Sequence, residues 1–207
     1  MPTKLEAAAA ELAKRDRVLK RALRDHGVPE LKRHRPRRPH FAELCRMICY
    51  QQLAGRAAAA IHGRFEALFD GPPTPEAVLM LSVEQMRGVG LSGAKTASIR
   101  DLAEKVVAGL VELDRVAKLP DDEVVRELTL VRGIGEWTAH MFLMFQMTRL
   151  DVWPVLDLGV RAGFARLYDV DPVPTPKQLV ALGEPFRPYR SLVAVWCWDT
   201  VDTKTPG

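Results

Sequence analysis

The chain has 207 residues, of which 47% are apolar, with a formal net charge of +4 and three cysteines. This length and apolar content favour one or two globular domains with a buried core and exclude a disordered chain. The sequence shows no stretch of 18 apolar residues and no signal sequence, so we expect no membrane segment and a cytoplasmic protein. The odd number of cysteines, Cys45, Cys49 and Cys197, argues against a disulfide framework, an iron–sulfur cluster or a zinc site. Cys45 and Cys49 lie four positions apart on an apolar helix face and are interpreted as small core residues.

The positive charge is concentrated near the amino terminus. Residues 1–40 hold 12 Lys/Arg against 5 Asp/Glu, a balance of +7, whereas residues 41–207 hold 18 against 21, a balance of −3. The basic residues are densest from Lys32 to Arg38. A polyanionic partner and a solvated linker both explain such a run.

Helical signals follow one another along the whole chain. Thr3 and Glu6 form a capping-box pattern at the start of a helix that we predict to continue to His26, before a basic, proline-interrupted loop at 32–39. Longer helices are then predicted at 41–54, 57–69, 93–109, 121–131, 136–147 and 188–201, and shorter ones after Thr74, Ser82 and Thr175. No segment alternates with a period of two, so the sequence predicts an all-α protein.

Two glycines separate the helices predicted at 121–131 and 136–147. Gly133 and Gly135 permit positive φ and close backbone approach, and the N–H groups of the following helix suit a phosphate. This pattern predicts a hairpin that holds a phosphate without reading bases. A similar turn, Gly88-Val89-Gly90, is interpreted as an ordinary helix–helix connection.

A lone carboxylate, Asp157, follows Pro154 at the start of another predicted helix. One interpretation is an N-cap for the helix that begins at Leu158. The other is a reactive group of an enzyme that holds DNA at the hairpin and acts on a sugar–base bond. Both roles are compatible, because a capping bond can fix the orientation of a carboxylate.

These motifs together resemble the helix-hairpin-helix DNA glycosylase superfamily, and within it the 3-methyladenine DNA glycosylase II family. The resemblance covers residues 40–200 and is carried by Gly-Ile-Gly-Glu-Trp-Thr-Ala at 133–139, Asp-Val-Trp-Pro-Val-Leu-Asp-Leu-Gly-Val-Arg at 151–161, Tyr-Gln-Gln-Leu at 50–53, and Phe-Arg-Pro-Tyr-Arg-Ser at 186–191 leading to Trp198.

The resemblance implies an all-α, two-lobed fold with the active-site cleft between the lobes. We expect residues 1–39 and 151–207 to form one lobe and residues 40–150 the other, with the helix-hairpin-helix at about 121–147. Longer family members carry an extra N-terminal domain, whereas this chain begins directly with a helix, which predicts the short form of the family.

The resemblance also implies a monofunctional DNA glycosylase. Such an enzyme flips an alkylated base, of the 3-methyladenine or 7-methylguanine type, out of duplex DNA and hydrolyses its N-glycosidic bond, leaving an abasic site for base excision repair. Asp157 matches the catalytic aspartate by position. Trp137 stands where strand-cleaving relatives have a lysine, so no lyase activity is expected. The alternatives are a non-catalytic DNA-binding module and a glycosylase for other damaged bases.

The remaining site residues follow from the resemblance by position. Residues predicted to bind the base are Trp137, Trp198, Tyr50 and Met141. Residues predicted to bind DNA are Gln52, Leu53, Arg132, Gly133, Gly135 and Thr138, and either Gln52 or Leu53 is the wedge that fills the gap left by the flipped base. Trp153 and Trp196 are interpreted as core residues.

Partners and cofactors are also implied by the resemblance. We expect damaged double-stranded DNA as the partner, no membrane association, and a monomer. No organic cofactor and no catalytic metal are expected, although the resemblance allows a monovalent cation bound by hairpin carbonyl oxygens.

Overall fold

The computed structural model describes residues 2–31 and 38–201, and within these ranges it contains helices and connecting turns but no β-strand. The α-helices are α1 (Lys4–Arg15), α2 (Arg17–His26), α3 (His40–Tyr50), α4 (Gly55–Glu66), α5 (Pro75–Leu79), α6 (Val83–Gly88), α7 (Gly93–Val107), α8 (Asp121–Thr129), α9 (Glu136–Met141), α10 (Leu158–Tyr168), α11 (Pro176–Leu182) and α12 (Arg190–Thr200). There are also 3₁₀ turns at Val116–Lys118 and Glu184–Phe186 and a π-helical turn at Phe142–Gln146. The predicted all-α class is confirmed.

Side-chain caps fix several of the predicted helix starts. Reciprocal capping boxes at the starts of α1, α6 and α11 join Thr3 with Glu6, Ser82 with Gln85 and Thr175 with Gln178. Each box satisfies backbone N–H groups that a helix end would otherwise leave without a partner. These local patterns therefore place helix starts correctly without help from the rest of the fold.

The single helix predicted from Thr3 to His26 is wrong, because the chain breaks at Asp16. This residue is extended, with φ −139° and ψ 124°, and it caps α2 by accepting hydrogen bonds from Val18 N at 2.6 Å and Leu19 N at 3.2 Å. Its second carboxylate oxygen accepts a hydrogen bond from Tyr168 Oη at 2.9 Å. A capping carboxylate with a distant partner thus overrides a continuous helical pattern.

Two predicted helices that lead into predicted site residues end earlier than expected, as does the helix predicted at 57–69, which ends at Glu66. The helix predicted at 41–54 ends at Tyr50, because Gln51 leaves the helical region and Gln52 has φ 54°. The helix predicted at 136–147 changes after Met141 into the π-helical turn. The predicted extensions are wrong at both places, and both interruptions lie next to predicted site residues.

The chain divides into two compact units. One comprises Met1–Arg33 and Leu143–Gly207 and the other His34–Phe142. We call the first the carboxylate unit, since it contains Asp157, and the second the hairpin unit, since it contains α8 and α9. The predicted boundaries, 39/40 and 150/151, lie six and eight residues later in the chain than the observed ones, 33/34 and 142/143.

The hairpin unit is built on the apolar face of α3. The side chains of that face are buried, as are large residues of α4 and α7: Phe41, Leu44, Cys45, Ile48, Cys49, Phe65, Ile99 and Leu102. Burial raises the pKa of Cys49 to about 12 and raises the pKa of Cys45 as well, so both thiols stay protonated. Their interpretation as small core residues is confirmed.

The carboxylate unit packs α10 against α12 and joins both ends of the described chain. Trp196 donates from Nε1 to Gly27 O at 3.0 Å, and Trp153 donates to Leu179 O at 2.8 Å. Both indoles are buried, which confirms the interpretation of Trp153 and Trp196 as core residues. Tyr189 Oη also donates to a carboxylate oxygen of Glu11 at 2.9 Å, which ties α1 to the segment before α12.

Two further expectations concern membrane-spanning helices and the basic segment. No helix in residues 2–31 and 38–201 is both long and apolar enough to span a membrane. The predicted basic loop lies outside the described residues except for Arg38 and Pro39. Arg38 forms ion pairs with Glu66 and Glu43.

Candidate nucleic-acid interface and carboxylate site

The hairpin predicted from the two glycines is present in the hairpin unit. Helix α8 ends at Thr129, a turn follows from Leu130 to Gly135, and α9 begins at Glu136. Gly133 has φ 77°, a left-handed conformation that an L side chain adopts only with strain. A Cβ at this position would also lie 2.4 Å from Ser98 Oγ. Glycine is therefore required at Gly133 for two separate reasons.

A carboxylate of α7 holds the backbone of this turn. Asp101 of α7 accepts a hydrogen bond from the backbone N of Arg132 at 2.7 Å, while its other carboxylate oxygen pairs with Lys105. Burial alone would raise the pKa of Asp101, but the hydrogen bonds from Lys105 and from the Arg132 amide outweigh it and lower the pKa. The Arg132 side chain itself is exposed.

The first turn of α9 is not capped by a side chain. Gly135 is the N-cap residue, with φ −95° and ψ 175°, and it makes no side-chain capping bond. The amide groups of a helix start favour an anion. Trp137, in the same turn, is 38% exposed. Thr138 is buried, so its side chain offers no surface to DNA. Its contribution to the first turn of α9 is its backbone amide.

The segment after α3 lies beside the hairpin. Gln51 donates from Nε2 to Gly133 O at 2.9 Å and to Thr138 Oγ1 at 3.4 Å. Gln52 and Leu53 follow, and both are exposed, with Gln52 held at φ 54°. Two of the predicted DNA-binding residues therefore occupy an outward turn that is hydrogen-bonded to the hairpin through their neighbour.

Tyr50, predicted to bind the base, is the last residue of α3 and is half-buried. The guanidinium of Arg46 lies 4.8 Å from its ring centroid, and the His62 ring makes an edge contact at 6.0 Å. Met141 at the end of α9 is 1% exposed. The hairpin unit thus brings Tyr50 near a cationic side chain, whereas Met141 is part of its core, and a contact of either with a base stays a prediction.

Asp157 caps α10 in the carboxylate unit. Its backbone is extended, with φ −73° and ψ 121°, and its Oδ1 accepts a hydrogen bond from Val160 N at 2.8 Å. The same oxygen accepts a second bond from Trp198 Nε1 at 2.9 Å. Two donors from different helices therefore fix the carboxylate, and the capping interpretation and a reactive role are geometrically compatible.

Close packing around Gly159 makes the second of these bonds possible. A Cβ at Gly159 would lie 2.9 Å from Trp198 Cδ1 and 3.1 Å from Asp157 Oδ1. Trp198 is 1% exposed, and the Phe145 ring lies 6.2 Å from its indole. The structure therefore gives Trp198 a hydrogen bond to Asp157, while its predicted contact with a base stays a prediction.

Sequence patterns did not reveal the hydrogen bonds made by Gln51 and Trp198. Gln51 and Gly133 are 82 positions apart, and Trp198 and Asp157 are 41 apart. Neither spacing follows from helix periodicity. The only local signal was the polar residue at the predicted end of α3. In the described ranges, no group of three or more His, Cys, Asp or Glu side chains is arranged to hold a metal ion.

Comparison with known proteins gives consistent matches. The family model described as HhH-GPD superfamily base excision DNA repair protein matches residues 45–188. A curated relative from Schizosaccharomyces pombe, named DNA-3-methyladenine glycosylase 1, is 33% identical over 201 residues, covering 96% of this chain and 88% of that protein.

Solved structures agree with the sequence matches. A 3-methyladenine DNA glycosylase from Schizosaccharomyces pombe, in complex with abasic DNA, matches with a TM-score of 0.80 and 31% identity, covering 95% of this chain and 97% of that one. A DNA-3-methyladenine glycosidase from Bacillus halodurans matches with a TM-score of 0.85 and 31% identity, covering 95% and 89%. The helical hairpin, the capped aspartate and these matches along the chain have one explanation: the protein belongs to the HhH-GPD superfamily of base excision DNA repair proteins.

Proposed function

We propose that this protein is a monofunctional DNA glycosylase that removes alkylated purines from double-stranded DNA. It hydrolyses the N-glycosidic bond of a flipped base and leaves an abasic site. The observation that carries the proposal is the carboxylate of Asp157, fixed by Val160 N and Trp198 Nε1 at the start of α10. The relatives named for 3-methyladenine support the substrate class.

The chemistry requires one well-placed carboxylate. As the bond between base and sugar breaks, positive charge develops on the sugar, and a nearby carboxylate stabilises it. The same group orients or deprotonates the attacking water. The hydrogen bonds from Val160 N and Trp198 Nε1 both end on Oδ1, and together they set the direction of the carboxylate. This arrangement costs no reorganisation when charge develops.

The absence of strand cleavage is supported by the residue at the start of α9. A lyase needs an amine that attacks the sugar and forms a Schiff base. Trp137 stands at that position of the family pattern, and an indole cannot form the bond. Release of the base by water is the chemistry that remains, so the DNA strand stays intact until the abasic site is treated with alkali.

Trp137 also supports an alkylated, cationic base as substrate. A 3-methylated adenine or 7-methylated guanine carries positive charge, which the π face of an exposed indole attracts. We therefore expect Trp137→Ala to slow release of 3-methyladenine more than release of a neutral base such as hypoxanthine. Single-turnover rates on two duplexes that differ only in the target base measure this, and an equal loss on both would contradict it.

The hairpin unit supplies the grip on DNA. The start of α9 offers amide groups to a phosphate, and exposed Arg132 adds a positive charge beside it. Gln52 is the wedge in this proposal, because it is exposed and held at φ 54°, a strained conformation that persists where function requires it. Leucine at 53 keeps an ordinary backbone in the same turn.

The remaining attributes follow from this chemistry. A carboxylate and water suffice for the hydrolysis, so we propose no organic cofactor and no catalytic metal. A carbonyl oxygen has two lone pairs, and that of Val131 accepts the Ile134 amide at 3.1 Å, so it can still serve as one ligand of a monovalent cation beside the phosphate. We also propose a monomer that acts on DNA in the cytoplasm.

The decisive experiment compares wild type with Asp157→Asn on methylated duplex DNA. The asparagine keeps an acceptor for Val160 N and Trp198 Nε1 but removes the charge. We expect wild type to release alkylated purines and the variant to lose about 10²- to 10⁴-fold in rate. Binding of the variant to an abasic-analogue duplex should persist, and wild-type products should break only after alkali.

Other outcomes of the same experiment separate the alternatives. If neither protein releases a base and both bind DNA, the protein is a non-catalytic binding module. If wild type releases only oxidised or mismatched bases from a substrate panel, the proposed substrate class is wrong. If strands break without alkali, the proposed lack of lyase activity is wrong.

A further inference from the structure

The turn that carries Gln52 is held by groups from two other parts of the hairpin unit. On one side, the Gln51 side chain donates from Nε2 to Gly133 O at 2.9 Å and to Thr138 Oγ1 at 3.4 Å. The first contact is a full hydrogen bond and the second a longer one. Gln51 thus reaches the hairpin at the strained glycine and at the first turn of α9.

On the other side, Lys95 of α7 holds the end of α3. Its Nζ donates to Cys49 O at 2.8 Å, one of the last carbonyl groups of that helix. Partial burial in this contact lowers the pKa of Lys95. A cation at a helix C-terminus is favourable. Lys95 therefore fixes the backbone that leads into Gln51 and Gln52.

The hairpin is fixed to the same helix. Asp101, six residues after Lys95 on α7, accepts a hydrogen bond from the Arg132 amide at 2.7 Å. Ser98, between these two residues in sequence, is the group that packs against Gly133. One helix thus supports both the hairpin and the end of α3, and Gln51 closes the connection between them.

We propose that Gln51 is a positioning residue that couples the phosphate grip of the hairpin to the placement of Gln52 in DNA. The inference rests on the proposed function and adds a residue with no assigned role. When the start of α9 holds a phosphate, Gly133 has a fixed place relative to the DNA backbone. The bond from Gln51 to Gly133 O then fixes Gln51 relative to the DNA backbone. Gln52 follows directly, and its left-handed backbone directs its side chain outward.

The expected size of the effect follows from the contact. A net hydrogen bond between neutral groups is modest, so removing Gln51 should slow base release about three- to tenfold rather than abolish it. Binding to undamaged duplex should change little, since the hairpin keeps Asp101 and Ser98 as its support. A structural role alone predicts the opposite: loss of binding and stability together with rate.

The test is a double-mutant cycle with Gln51→Ala, Gln52→Ala and the double variant. Single-turnover base release from methylated duplex and the affinities for an abasic-analogue duplex and for the same undamaged duplex are measured for each. If Gln51 acts through Gln52, Gln51→Ala slows release in the wild-type background but has no further effect when Gln52 is already alanine. The preference for the abasic-analogue duplex should fall in the same pattern.

Two further variants test whether the effect of Gln51→Ala arises from the lost hydrogen bond rather than from lower stability. Gln51→Met keeps side-chain length and removes the donor, so it should reproduce the effect even if alanine destabilises the turn. Gln85→Ala is the matched control, because Gln85 is a glutamine of the same unit whose side chain bonds to the Ser82 backbone in a capping box. It should lower thermal stability without changing the ratio of affinities for the two duplexes.

Each result decides the inference. Additive effects of the two alanines, or an equal loss of undamaged-duplex binding in Gln51→Ala, would overturn it. If wild type releases no base but prefers the abasic-analogue duplex, the proposed function fails, and the affinity ratio still decides the role of Gln51. A wild type that shows neither base release nor this preference overturns both.

Discussion

Two turns of the hairpin unit share the pattern Gly-x-Gly but differ in what surrounds them. The first glycine turn, residues 88–92, joins α6 to α7, and the second glycine turn, residues 130–135, joins α8 to α9. Each contains a glycine in the left-handed region, Gly90 at φ 98° and Gly133 at φ 77°. The left-handed glycine is the second of its pair in the first turn and the first of its pair in the second, and in both turns it lies two residues before the N-cap, Ser92 or Gly135.

The first glycine turn is closed by side chains of the protein itself. Ser92 accepts a hydrogen bond from Lys95 N at 3.2 Å and so caps α7. Arg64 donates from Nε to Val89 O at 2.9 Å and lies against Gly90. The backbone groups of this turn are used for internal support, and its interpretation as an ordinary connection agrees with these contacts.

The second glycine turn differs because no side chain caps the helix that follows it. Asp101 and Gln51 bind its backbone from the protein side, while α9 starts at Gly135 without a side-chain cap. The difference between a structural turn and a candidate phosphate site is thus the residue at the N-cap: serine in one, glycine in the other. The glycine spacing alone does not distinguish them.

The largest expected effect that tests this comparison comes from Gly133→Ala. The variant combines a left-handed backbone with a contact of 2.4 Å to Ser98 Oγ, so we expect a loss of about 2–4 kcal/mol in the free energy of unfolding. DNA affinity should fall as well. Denaturant unfolding and fluorescence anisotropy measure the two, with Gly135→Ala as the control, since a Cβ there meets no atom within 4 Å. Equal stability of both variants would contradict the steric argument.

Exchanging the caps should change DNA binding next most strongly. Gly135 is already extended, so Gly135→Asp places a capping carboxylate over the first turn of α9. We expect the free energy of unfolding to rise by a few tenths of a kcal/mol while DNA affinity falls about tenfold or more, because the new charge competes with a phosphate.

Gly135→Asn is the matched neutral control for that exchange. It supplies a similar cap without a charge, so it should weaken DNA binding less than the aspartate does. Affinities measured at several salt concentrations separate the charge from the cap. Unchanged DNA affinity in Gly135→Asp would show that the second glycine turn does not hold a phosphate.

The smallest expected effect belongs to the first glycine turn. Ser92→Ala removes the cap of α7 and should cost about 1 kcal/mol in the free energy of unfolding. DNA affinity should stay within about twofold, because this turn is closed on itself. A loss of affinity comparable to that of Gly135→Asp would show that both turns contact DNA, and the comparison would fail.

Local rules predicted much of the fold. Capping boxes and glycine ends act between residues three or four apart, so a sequence shows both partners together. The break at Asp16 could not be predicted, because its competing partner Tyr168 is 152 positions away. The π-helical turn after Met141 is also a product of packing rather than of a local signal.

The candidate site divides in the same way. The hairpin glycines and the aspartate at the start of α10 were predicted, since both lie at helix ends with short-range patterns. The orientation of Asp157 by Trp198 and the bracing of the hairpin by Gln51 join distant helices and came only from the structure. The sequence therefore predicted the candidate site residues at helix ends better than the distant contacts that position them.

The carboxylate unit draws its helices from both sides of the hairpin unit in the chain, and this has a consequence during synthesis on the ribosome. Helices α1 and α2 emerge first, yet their partners Tyr168, Tyr189 and Trp196 are translated last. The hairpin unit is continuous and can fold while translation proceeds. A nascent chain that stalls before α12 would therefore display the candidate phosphate-binding hairpin while Asp157 still lacks its hydrogen bond from Trp198, so the proposed carboxylate site is completed only when the last helix has been translated.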